Sequence, residues 1–101
     1  MPVYMAGWVN ANASVRFGSG FSVIRTALVG SYRITVPPTA TSKFLVTTVT
    51  PSALHVIARV AAFSKNALDN TLNVDVEIRD LTTNALVDGE FNFIAVERSG
   101  P

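Results

Sequence analysis

From Leu72 to Arg79 the chain alternates without a break. Leu72, Val74, Val76 and Ile78 fall on one side, and Asn73, Asp75, Glu77 and Arg79 on the other. A period of two predicts an extended strand with one face in a core and one in water. Tyr32, Ile34 and Val36, opposed by Arg33 and Thr35, repeat the pattern. Two other runs depart from it. Phe91 to Val96 reads Phe-Asn-Phe-Ile-Ala-Val and becomes apolar on both sides towards its end. Val3 to Val9 places Val3, Met5 and Val9 on one face and Tyr4, Ala6 and Trp8 on the other. A strand that is apolar on both sides is either central in a sandwich or pressed against another subunit. If these terminal strands are neighbours, their outer faces gather one apolar patch.

Turn-forming clusters separate the runs: Asn10 to Ser14, Gly18-Ser19-Gly20, Gly30-Ser31, Pro37-Pro38, Pro51-Ser52, Lys65-Asn66, Asp69-Asn70 and Asp88-Gly89. Strands are expected near Val3–Val9, Phe21–Arg25, Tyr32–Val36, Lys43–Thr50, Leu54–Ala62, Leu72–Arg79 and Glu90–Glu97, with a short eighth at Ser14–Phe17. The segment from Pro51 to Asn70 also fits a helix, with Thr50 as its cap, Pro51 in the first turn, and Val56, Val60, Phe63 and Ala67 at helical spacing. Its β-branched residues and the alternation of Val56, Ala58, Val60 and Ala62 favour a strand. The expected fold is all-β: a compact antiparallel, jelly-roll-like sandwich of about seven or eight short strands in one domain over residues 1–101.

Composition adds one fact that changes the picture. Charged residues make up 15% of the 101 residues and hydrophobic ones 49%, with a mean hydropathy of +0.35. Typical soluble domains carry about 25% charged residues, and a small domain has much surface to cover. No run of roughly 20 apolar residues is present to span a membrane as a helix, so no membrane insertion is expected. Nor does the chain start with the basic and long apolar regions of a signal peptide. A partner chain is the remaining cover, most simply another copy. The net charge is +1 and its charges are scattered singly, which argues against nucleic acid as a partner.

Candidate chemistry is sparse. With no cysteine, disulfides and thiolate sites are excluded. His55 is the single histidine, and no G-x-S-x-G elbow or similar motif surrounds a serine. Asp75 and Glu77 share a strand face, a spacing open to an acid/base pair but better explained as a solvated outer face. Gly18-Ser19-Gly20 lacks the spacing and helix of a phosphate loop, and Asn12-Ala13-Ser14 matches a glycosylation pattern by type alone. Trp8, Tyr4 and Tyr32 could stack on a sugar if exposed, but Trp and Tyr are also enriched in cores and interfaces. No enzyme activity, cofactor or metal site is expected. The interface candidates are Tyr4, Trp8, Ile94 and Val96.

The order of the segments adds a resemblance. A glycine-rich turn leads into Phe21-Ser22-Val23-Ile24-Arg25, followed by Gly30-Ser31-Tyr32-Arg33-Ile34-Thr35-Val36, Val76-Glu77-Ile78-Arg79-Asp80, and Asp88-Gly89-Glu90-Phe91-Asn92-Phe93-Ile94-Ala95-Val96. Over about Asn10 to Glu97 this resembles the small β-rich modules of bacteriophage tail fibres and of collagen-like phage and bacterial proteins. The resemblance implies a compact sandwich, often trimeric and without catalysis, that caps, trimerises or attaches fibres and in some cases contacts host glycans. The expected role is therefore a structural, oligomerising module on a virion or at a cell surface, with a carbohydrate-binding module as the alternative.

Overall fold

The structure is a computed structural model that describes the backbone of residues 4–26, 29–36, 44–66 and 71–98; the side chains of 4–5, 44–46, 65 and 96–98 lie outside the description. Eight strands follow in order: β1 Tyr4–Val9, β2 Val15–Phe17, β3 Ser22–Arg25, β4 Ser31–Val36, β5 Phe44–Pro51, β6 Val56–Lys65, β7 Leu72–Asp80 and β8 Phe91–Arg98. They form two antiparallel sheets of four strands, ordered β2-β1-β8-β5 and β3-β4-β7-β6. The terminal strands are neighbours, with β1 and β8 paired from Tyr4↔Val96 to Val9↔Phe91.

The ambiguous Pro51–Asn70 segment resolves as strand β6, which starts later than the pattern suggests because residues 52–55 make the turn out of β5. Ala67 to Asn70 lie outside the described residues. The β6–β7 register shifts between Val60 and Ala62. Val56, Ala58 and Val60 face inward up to that bulge, and residues 61–64 beyond it are exposed. A bulge lets one extra residue re-aim every side chain that follows, which is why alternation through Ala62 does not hold.

The core is made where the inner faces meet. Val9, Phe91, Phe93 and Ala95 come from one sheet, and Tyr32, Ile34, Val36, Val56, Leu72, Val74, Val76 and Ile78 from the other. Two aromatic pairs mark its depth: Tyr32 against Phe91 at 5.2 Å, and Phe21 edge-on to Phe93 at 4.8 Å. Gly7 sits beneath the second pair, where a Cβ would collide with both rings.

One polar node pierces this core. The buried Tyr32 hydroxyl donates to the Ala11 carbonyl at 2.7 Å and accepts from the Gly89 N–H at 3.2 Å. Beside it, Asp88 accepts from the Gly30 N–H and, through both carboxylate oxygens, from the Nη2 of Arg25. Burial, outweighing the Gly89 N–H, raises the Tyr32 phenol above its ordinary value. The node joins three loops at one end of the sandwich, so Asp88-Gly89 is more than a turn pair.

Candidate interaction face

The two outer faces of the sandwich differ in chemistry. On β4-β7-β6, Asp75, Glu77 and Arg79 of the central strand each find an opposite charge. Arg33 meets Asp75 at 2.8 Å, Glu77 accepts from Arg59 at 3.1 Å and Arg79 at 3.3 Å, and the Thr35 hydroxyl donates to Asn73. Burial alone would raise the Glu77 carboxyl, but the two guanidiniums outweigh it and hold the group below the ordinary carboxylate value. Asp75 and Glu77 are thus each neutralised by arginine rather than paired with one another. Ile24 and Ile57 are exposed singly towards the two edges of this face.

The outer face of β2-β1-β8-β5 is built from transverse rows. Backbone register aligns Phe17, Trp8, Asn92 and Thr50 in one row, and Ala6, Ile94 and Thr48 in the next. A third row passes through Tyr4, Val96 and Val46, whose side chains lie outside the described residues. No charged residue occupies these rows. Phe17 is 71% exposed and Ile94 53% exposed. Between β5 and β8 the face dips into an open hollow of about 70 Å³, lined by Thr48, Thr50, Asn92, Phe93 and Ile94.

Trp8 is half-buried and has a cation above it. The β1–β2 register passes from Trp8↔Phe17 to Val9↔Val15 and skips Arg16, whose guanidinium lies 4.2 Å from the indole centroid. Arg16 also meets Glu90 at 3.5 Å, so this charge sits on the rim. The indole Nε1 is buried without a hydrogen-bond partner.

Of the four sequence candidates, the structure places Trp8 and Ile94 on this face, with their described side chains on adjacent strands. For Tyr4 and Val96 only the register is described. The three-ring platform of Trp8, Tyr4 and Tyr32 does not form: Tyr32 is fully buried in the opposite sheet, because its position falls on the inward phase of β4. The sequence pattern does not mark Phe17, Arg16 or Thr48 as members of this face, and it offers Thr50 only as a helix cap. Phe17 was findable from the alternation of Val15-Arg16-Phe17, but the bulge that brings Arg16 over Trp8 has no local signal.

His55 stands exposed in the β5–β6 turn, where its carbonyl accepts the Leu81 N–H. Among the described residues, no three His, Asp or Glu side chains gather as a metal set would. Comparisons with protein-family models, curated proteins and solved structures found no match to this chain.

Proposed function

We propose that this chain is a non-catalytic structural module that joins copies of itself through the outer face of β2-β1-β8-β5. The observation that carries the reading is the contrast between the two outer faces. One sets its charges in a ladder of pairs suited to water, and the other presents Phe17, Trp8, Ala6, Ile94 and threonines with no charge among them. An apolar face rimmed by polar groups, here Arg16 and Glu90, marks an interaction surface. Burying it contributes roughly 25 cal/mol per Å² before the cost of association. The resemblance to phage tail-fibre and collagen-like modules supports a fibre-like or surface-attached setting on a virion or cell, and favours a trimer.

The test is a charge placed in the centre of the face. Ile94→Glu should abolish assembly while leaving the circular dichroism and melting of the monomer near wild type, because Ile94 is 53% exposed in the single chain. Val96→Glu, two residues along the same strand, should act in the same way. If both variants assemble like wild type, the face is not the interface. A glycan panel run on the Trp8→Ala variant addresses the carbohydrate alternative: loss of a glycan signal with assembly intact would overturn the structural reading.

A further inference from the structure

We infer that the outer edge of β5 pairs with the same edge of a second copy, antiparallel and about a two-fold axis at Thr47. This goes beyond the face contact proposed above and does not depend on it. The sandwich has four edge strands, β2 and β5 in one sheet and β3 and β6 in the other, and three of them are guarded. β2 and β3 are only three and four residues long, and β6 is interrupted by its bulge. Each of these three also carries an arginine (Arg16, Arg25 or Arg59), so two copies meeting along any of them would bring like charges together. β5 has none of these guards. It runs for eight residues, Phe44–Pro51, in unbroken register with β8 and without a charge. An edge of that kind is a template for another strand.

The row of groups it offers follows from the register. Ser52 continues the β5–β8 alignment opposite Glu90, and its N–H donates to the Glu90 carbonyl. Hydrogen-bonded pairs recur at every second residue of an antiparallel ladder. Thr50, Thr48 and Val46 therefore turn their backbone groups towards β8, while Leu45, Thr47 and Val49 turn theirs to the side where no described strand pairs. Only another extended backbone satisfies such a row, and β5 matches itself. With Thr47 on the axis, Leu45 meets Val49 of the second copy, Thr47 meets Thr47, and Val49 meets Leu45. Pro51, which has no N–H, falls past the end of the ladder. A slip by one pair in either direction leaves one of the three residues without an opposite.

A separate observation singles out the same residue. The Thr47 hydroxyl is buried and has no hydrogen-bond partner among the described residues. Buried polar groups ordinarily have one. On the axis the two Thr47 residues stand directly opposite, the arrangement in which threonines bond across strands. A change of χ1 rotamer swings the hydroxyl from the interior to that contact. Most of the contact is backbone hydrogen bonding, which replaces bonds to water and adds little net for each. Against the cost of association, the pair forms at millimolar rather than micromolar concentration unless the face contact has already gathered the chains.

The test is made on Ile94→Glu protein, where the face does not contribute, and uses the lack of native cysteine. The two-fold places Thr48 opposite Val46 of the second copy at about 4.5 Å between Cα atoms, within disulfide range. Identical positions lie roughly 7–8 Å apart, outside that range. Thr48→Cys and Val46→Cys proteins, mixed at millimolar concentration under mild oxidation, should give a mixed covalent pair, and each alone far less. In that pair the Thr47 and Val49 amides should exchange with deuterium roughly tenfold more slowly than in the single chain. The edge contact is overturned by the absence of a mixed pair, by equal linking of each variant alone, or by amides that exchange as in the single chain. The face is read separately: a wild-type chain that is single at micromolar concentration contradicts the face, while the linked pair still decides the edge.

Discussion

At the scale of single residues, the fold depends on a few positions where only one side chain fits. Gly30 has a φ of +73°, and a Cβ there would lie 2.8–2.9 Å from the backbone of Val87 and Ile78. Gly30→Ala should therefore cost about 1–3 kcal/mol through backbone strain, measured by urea unfolding. Tyr32→Phe keeps the ring against Phe91 but strands the Ala11 carbonyl and the Gly89 N–H. The expected loss is about 1–3 kcal/mol, the usual penalty for buried groups left unpaired. The raised phenol also has a sign: its protonated form is favoured in the fold, so the stability it brings is complete below the ordinary tyrosine range. It is lost as pH rises above about 10, and Tyr32→Phe should flatten that alkaline decline.

At the scale of strands, β7 shows how a polar face becomes a stabilising one. The Glu77 carboxyl is held below its ordinary value, so its contribution is present above about pH 4 and fades as pH falls through the folded value. Glu77→Gln should remove part of the acid-side loss of stability, and added salt should shrink the difference between the two proteins. An absence of any pH-dependent difference between them would count against the arginine pairs. The neighbouring edge strand β6 exposes Phe63 at the border of the uncharged run Val60-Ala61-Ala62-Phe63-Ser64, but the bulge interrupts the regular edge there. Phe63→Lys should accordingly leave the native mass unchanged, which separates assembly through the sheet face from pairing through this edge.

The strands were also where the sequence was most legible. Alternation marked β4 and β7 correctly, since the inward residues Tyr32, Ile34, Val36, Leu72, Val74, Val76 and Ile78 are all buried. Turn chemistry separated all eight strands. What stayed hidden was non-local. Periodicity cannot show a bulge, so the exposure after Val60 and the placing of Arg16 over Trp8 were not readable. Nor can an aromatic announce which sheet it enters, and Tyr32 went to the core rather than to a platform with Trp8. Ile94 was legible as part of a two-faced apolar run; the hollow beside it needed β5 and β8 to be paired.

At the scale of the whole molecule, the sandwich separates its tasks. The loop end around Tyr32, Asp88 and Gly30 locks the two sheets together. One outer face carries paired charges, and the rows through Trp8 and Ile94 on the other carry none. The strand that carried the clearest pattern, β7, belongs to the water-facing side, so the part of the chain most eloquent about fold is remote from its proposed role. The central claim is that this module exists as an assembly of its own copies. Native mass spectrometry of the wild-type chain at micromolar concentration tests it directly. The account predicts a discrete multiple of the 10.8 kDa chain, a trimer above all, reduced to the single chain by Ile94→Glu. A wild-type spectrum containing only the single chain would contradict it.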